Sequence, residues 1–326
     1  MKALDRKLSA ILTGAYGPDD FVIADAKDAD MAFGVQAPGV CREPGRGGFR
    51  SRQEYLGDMT ALITQAEIDI LLCSAANGER LARDGVLDDS PVTVAVRAND
   101  TTDIWFARGG GYARQPSRPF RTARLEQVRP FCDLVLYSVT FNNDLEHDLA
   151  SLEAYARFRA EAAAHGVRHF LEVFNPNAPR DLAPEQVGPF VNDSIVRALA
   201  GVTAAERPLF LKMAYNGPDA LEELAGHDSS LVVGILGGSA GTTRDTFELL
   251  HQAERHGARV ALFGRKIQNA QSQLDLVELM RPVLRGDLSP SDAVREYHRR
   301  LAAAGLSPRH TLDDDLRITE PVLQHG

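Results

Sequence analysis

"LVVGILGGSAGTTRDTFELLHQAERHGARVALFGRK", residues 231–266, holds one complete structural unit. It opens on a near-continuous apolar run, 231–237, the pattern of a strand buried on both faces. A glycine-rich turn follows. Thr242 or Thr243 then stands at an N-cap position ahead of the amphipathic segment RDTFELLHQAERHG. Gly257 sits where a helix C-cap belongs, and a second apolar run, 259–265, comes directly after it. Strand, helix and strand in this order predict two parallel strands joined by a crossover helix.

The same alternation extends back to the N-terminal region. Apolar runs at 21–27, 68–74, 92–98, 133–139, 169–175 and 209–215 precede the pair already described, which makes eight. Amphipathic stretches lie between most of them. Leu145, Leu149, Leu152 and Ala156 follow helical spacing, and Gly166 ends that segment. Eight strand–helix units predict an α/β fold, a single (β/α)8 TIM barrel; an open doubly wound sheet is the alternative. The barrel core is expected over about 20–285 of a single domain spanning 1–326, with a C-terminal helix and tail at 286–326. Two connections, 31–52 after strand 1 and 99–122 after strand 3, exceed the usual 2–6 residues. Both leave C-terminal strand ends, where barrel active sites lie, and both carry arginines and glycines. They read either as lids bringing positive charge to an anionic substrate or as surface decoration and subunit contacts.

Composition narrows the function. Apolar residues at 44% and charged residues at 25% describe an ordinary soluble globular chain. A net charge of −9 argues against nucleic-acid binding. No apolar run is long enough to span a bilayer, and the N-terminal stretch does not read as a signal peptide. Cys41, Cys73 and Cys132, without a CxxC pair, read as structural thiols of a cytoplasmic protein. The nine histidines form no helical HxxxH pair, so no metal site is expected. His169 reads as packing or surface.

Polar residues at the C-terminal ends of barrel strands converge on one pocket. Asp25 and Lys27 end strand 1, Arg97 ends strand 3, and Glu172 and Asn175 lie in and after strand 5. Lys212 and Tyr215 belong to strand 6. Strand 7 opens into Gly237, Gly238 and Ser239, and strand 8 into Gly264 and Arg265. The last two groups suit an anion, through free N–H groups at a helix start and an arginine fork. Lys212 is the anomaly, a cation inside an apolar run. Apolar burial favours the neutral amine, a nucleophile that forms an imine with a carbonyl. The other reading is a structural ion pair with Glu172. Glu172, at matching depth on the next strand, suits a general acid/base.

On these residues the chain resembles the class I (Schiff-base) aldolase barrels. The resemblance is to the tagatose-bisphosphate and sulfofructose-phosphate aldolase group of the deoxyribose-phosphate aldolase-like superfamily, over about 20–282. The family's strand 1 ends in Asp-x-Arg, here Asp25-Ala-Lys27. Its strand 5 carries Leu-Glu, here Glu172, and its strand 6 the imine lysine, here Lys212. A phosphate-binding serine follows its strand 7, here Ser239 in GGSAG, and Gly-Arg ends its strand 8, here Gly264-Arg265. Lys27 departs from the arginine, and strand 4 lacks the family's lysine, with Asp133 and Tyr137 as the nearby polar groups.

The resemblance implies a lyase acting on a phosphorylated or sulfonated ketose, with no cofactor and with homo-oligomers as the expected assembly. Lys212 and Glu172 would be catalytic, with Asp25 and Lys27 orienting the substrate. Gly237, Gly238, Ser239, Gly264 and Arg265 would hold the anion, and Arg97, Tyr137, Asn175 and Tyr215 are candidate contacts. Two other readings stand beside it. Asp25, Lys27 and Asp30 spell the Asp-x-Lys-x-x-Asp pattern of orotidine-monophosphate decarboxylase-type barrels, which work without an imine. A barrel that binds a sugar phosphate without chemistry is the other.

Overall fold

The computed structural model describes residues 2–41, 45 and 47–324. Eight parallel strands close into a barrel: β1 (Val22–Lys27), β2 (Ile70–Cys73), β3 (Thr93–Arg97), β4 (Leu134–Thr140), β5 (Arg168–Phe174), β6 (Leu211–Met213), β7 (Gly234–Leu236) and β8 (Val260–Phe263). Each pairs with its sequence neighbour, and β8 closes on β1 with Val22 opposite Val260. Closure leaves no free sheet edge. The alternative of an open doubly wound sheet is excluded. Gly234 permits closure at β7, because a side chain there would overlap the Leu211 carbonyl and Val260 Cβ.

Two apolar layers follow from the two-residue period of the strands. Val22, Ala24, Ala26, Ile70, Leu72, Leu134, Leu136 and Leu262 fill the lumen, with Phe170 stacked on Phe210 at 4.5 Å. Leu4 and Leu8 of the N-terminal helix Ala3–Leu12 plug the lumen from below. The alternate residues, Phe21, Ile23, Leu71, Cys73, Val135 and Tyr137 among them, pack outward against the helices. The three cysteines are buried thiols. No helix among the described residues is long and apolar enough to cross a membrane.

Caps set the helix ends. Ser51 with Glu54 and Thr242 with Asp245 form capping boxes, and Gly166 and Gly257 take positive φ just past their helices. The helix Leu145–Ala164 forms as expected, but with a different buried face. Leu145 and Leu149 are exposed, and Ser151, Tyr155, Phe158 and Ala162 are buried. Tyr155 and Phe158 pack on Tyr137 of β4, with ring centroids 5.2 and 4.3 Å away. This aromatic contact buries more surface than the two leucines offer.

The long connections are pinned to the barrel and to each other. Asp100–Thr101 pairs antiparallel with Pro119–Phe120, and the Phe106 amide donates to the Ala32 carbonyl at 2.8 Å. Four of their described arginines are engaged elsewhere. Arg50 pairs with Asp58 at 2.6 Å, Arg52 bonds Asn77, Arg108 lies over the Phe49 ring and Arg121 pairs with Glu161. Arg42 and Arg46 lie outside the described residues. The helix Pro290–Ala303 packs on Thr243–Arg255, and the segment after it returns to the rim near β7 and β8.

Candidate active site

The lumen is apolar at its base and ionic at its C-terminal end. Ser138, Glu172 and Lys212 stand level on β4, β5 and β6, each opposite the next in the strand register. Arg97 reaches in from the end of β3, and Asp28 from just past β1. Lys212 Nζ lies 2.5 Å from Glu172 Oε1. Arg97 donates to Glu172 Oε2 at 2.8 Å, to Ser138 Oγ at 2.7 Å and to an Asp28 carboxylate oxygen. The Ser138 hydroxyl donates in turn to Glu172 Oε2 at 2.6 Å. Asn99 clamps the Ser138 backbone from both sides, through its amide N–H and its carbonyl oxygen. All five charged or hydroxyl side chains of this cluster are buried.

Burial alone would raise the Glu172 pKa, but Lys212 and then Arg97 outweigh it and hold this carboxyl below its ordinary range. Asp28 is held down in the same way, by Arg97 and then Lys212 against burial. Asp100, buried in the loop after β3, goes the other way. Burial pushes it up to about 7 although Arg97 opposes the shift.

A cavity of about 300 Å3 opens above this cluster. Asp28, Arg97, Glu172 and Lys212 line its floor, and Gly237, Gly238, Gly264 and Arg265 one side. Gly238 holds φ +64°, and a side chain at Gly264 would press on the Ala26 carbonyl. The cavity thus joins a buried lysine–glutamate pair to a glycine-lined wall that carries Arg265.

Several expected positions fall elsewhere. Asp25 and Lys27 share the parity of Phe21 and Ile23, so they face the helix layer rather than the lumen. They form an ion pair at 2.9 Å, fully buried, and neither side chain has a hydrogen-bond partner outside the pair among the described residues. Burial raises the Asp25 pKa, with Lys27 opposing. Tyr137 faces outward against Tyr155 and Phe158. Tyr215 also faces outward, its hydroxyl donating to Gln252 at 3.0 Å. Asn175 exchanges hydrogen bonds with Asn216 and does not line the cavity. Asp30 is held by Ser74 and Asn77. His169 packs in the helix layer against the Tyr155 hydroxyl.

The anion end differs too. Ser239 donates to Glu320 of the C-terminal segment at 3.0 Å, and the same oxygen receives buried Lys266 at 2.8 Å. Thr242 caps the following helix as expected. Its start is not open to a ligand, because the Thr242 and Thr243 amides are taken by Asp245 and Asp315.

Asp28, Ser138 and Asn99 were missed by sequence reasoning. Asp28 continues the lumen face of Ala24 and Ala26, but β1 is buried on both faces and its sequence does not reveal that parity. Ser138 carried no signal either, being one hydroxyl in the apolar run LVLYSVT.

No protein-family model matches the chain, and no curated protein matches it by sequence. Solved structures do match in fold. A fructose-bisphosphate aldolase from Slackia heliotrinireducens superposes with a TM-score of 0.64 at 14% identity, covering 90% of this chain and 89% of its own. An archaeal fructose-1,6-bisphosphate aldolase, described with its catalytic lysine covalently bound to a carbinolamine intermediate, gives 0.61 at 16%, covering 85% and 99%. A Schiff-base-forming fructose-1,6-bisphosphate aldolase gives 0.62 at 14%, with the same coverage.

Proposed function

We propose that this barrel is a class I aldolase that cleaves or forms a C–C bond in a phosphorylated or sulfonated ketose through an imine on Lys212. The observation that carries the reading is the Lys212–Glu172 pair at 2.5 Å, at the C-terminal end of a closed barrel and beneath an open cavity. The fold it shares with Schiff-base aldolases supports the reading.

The chemistry follows from the contacts. Lys212 passes a proton to Glu172, and its free amine adds to the substrate carbonyl carbon. Glu172 returns that proton to the carbinolamine hydroxyl, which leaves as water, and the protonated imine becomes an electron sink. Glu172 accepts the proton of the hydroxyl at which the C–C bond breaks, and the bonding pair moves into the imine as the aldehyde leaves. The resulting enamine is reprotonated, and water releases the ketone and restores the amine. Arg97 and Ser138 hold the second oxygen of Glu172, which keeps Oε1 aimed at Lys212. Asp28, and not Asp25 or Lys27, is the strand-1 carboxylate on this face and takes the substrate-orienting role. Gly237, Gly238, Gly264 and Arg265 would take the anion.

The imine-free decarboxylase reading loses its support, because Asp25 and Lys27 lie behind the lumen wall. The test is borohydride trapping. Incubation with dihydroxyacetone phosphate, reduction and peptide mass analysis should place a stable adduct on Lys212. Phosphate-ester binding without an adduct from any ketone donor would leave a binding barrel instead.

A further inference from the structure

The proposed reaction needs room for two fragments, the ketone that stays on Lys212 and the aldehyde that leaves. The cavity offers them unlike walls. Gly238, Gly264 and Arg265 form the β7–β8 side. The loops after β1 and β3 form the other, with Ala29, Ala32, Phe33, Ile104 and Phe106. Phe33 and Phe106 stack with centroids 5.1 Å apart, and the Phe106–Ala32 backbone bond fixes this wall. Phe106 is 40% exposed, so the wall presents aromatic surface to the cavity rather than closing a core.

The charge inventory is equally uneven. The cations lining the cavity are Arg97, Lys212 and Arg265. Arg97 and Lys212 are held by Asp28 and Glu172, and Arg265 has no ion pair among the described residues. Two nearby amides already donate one N–H each, Gln36 to the Phe33 carbonyl at 3.4 Å and Gln268 to that of Pro38 at 3.1 Å. The Gln268 oxygen, unpaired among the described residues, is an acceptor that a phosphate cannot use. A phosphate or a set of hydroxyls set against Phe33, Ile104 and Phe106 would lose water without gaining partners.

Resting on the aldolase reading, we infer that the aldehyde half of the substrate is apolar, an aryl or branched-alkyl aldehyde packed on Phe33, Ile104 and Phe106, and that the substrate's single anion lies on the ketone half at Arg265. In the condensing direction the enamine carbon bonds to the aldehyde carbon, whose oxygen takes up a proton, and water then releases the product from Lys212.

The experiment measures aldol formation from dihydroxyacetone phosphate with benzaldehyde, isobutyraldehyde or glyceraldehyde 3-phosphate, alongside borohydride trapping of Lys212 by the donor alone. The expected result is a kcat/KM for the apolar aldehydes roughly tenfold or more above that for the triose phosphate. The Phe106→Ser variant should reduce that ratio. With trapping intact, a preference for glyceraldehyde 3-phosphate overturns the inference and leaves the imine reading standing. Failure of trapping with every ketone donor overturns the imine reading itself. Saturation-transfer NMR of benzaldehyde then decides the wall: binding weakened in Phe106→Ser sustains an apolar ligand site there, and binding unchanged in that variant overturns it.

Discussion

Glu172 has one carboxylate oxygen for Lys212 and one for Arg97 and Ser138, so it sets the geometry of the whole floor. Glu172→Gln keeps the shape and removes the proton carrier. C–C cleavage should fall roughly 10²-fold or more, measured as single-turnover aldehyde release. Asp25 and Lys27 give the contrasting case. They look like the best strand-end pair in the sequence, yet one residue of parity puts them behind the wall. Asp25→Asn should cost about 3–5 kcal/mol by leaving a buried lysine unpaired, while the double change Asp25→Leu with Lys27→Met should come out near neutral. Urea unfolding measures both. Lys212 trapping should survive in the double variant, and a well-folded double variant that no longer traps would return the pair to the site. Lys212 and Glu172 were legible because a charge inside an apolar strand costs too much to be incidental. Which strand-1 carboxylate joined them was not, because an apolar run buried on both faces gives no alternation from which to read parity.

At the scale of elements, every barrel strand was legible and most helix ends were, because caps and glycines are local chemistry, whereas the short pair Asp100–Thr101 and Pro119–Phe120 was not. The buried face of Leu145–Ala164 was not, since the aromatic partner on β4 that selects Tyr155 and Phe158 is remote in sequence. Nor was the character of the long loops. Their arginines suggested either an electropositive lid or surface decoration, and the residues they bring to the cavity are mostly apolar, alanines, phenylalanines and Ile104. The loop after β3 also carries a pH signature. Asp100 is pushed up to about 7 in the fold, above the carboxylate range of an unfolded chain near 3.9. Between those values the folded state binds the extra proton. Its contribution is therefore present at low pH, falls as pH rises towards about 7, and stays lost above that. Glu172 and Asp28 have the opposite sign. Their contribution is present above the ordinary carboxylate range and is lost as pH falls through their lowered folded values. Asp100→Asn should flatten the decline in Tm between pH 5 and pH 8, raising Tm at pH 8 more than at pH 5. Parallel Tm curves for variant and parent would show that Asp100 does not titrate in this window.

At the scale of the molecule, the eightfold strand–helix alternation makes the barrel the most legible feature of the chain, while the tail was legible only as a segment beyond the barrel core. It lands on the rim by chemistry with no periodic pattern. Asp315 takes the Thr243 amide, Asp245 takes the Thr319 amide, and Glu320 takes Ser239 and Lys266. The chain thus fills with its own carboxylates the groups that an anion site after β7 would use. Lys266 is fully buried beneath Glu320, and its other acceptor is the Ala240 carbonyl at 3.5 Å. Glu320→Ala should therefore cost about 2 kcal/mol, less than a fully enclosed pair because Glu320 keeps some solvent contact, and should lower Tm by several degrees. It also frees Ser239 and Lys266 for another anion. Inorganic phosphate should then raise Tm more in the variant than in the parent, since a ligand bound only to the folded state stabilises it by mass action. A variant that loses stability but gains no phosphate response would leave Glu320 as a latch for the tail alone, with Ser239 outside the substrate site. A variant that gains the response would make the tail the occupant that a phosphate at Ser239 has to displace.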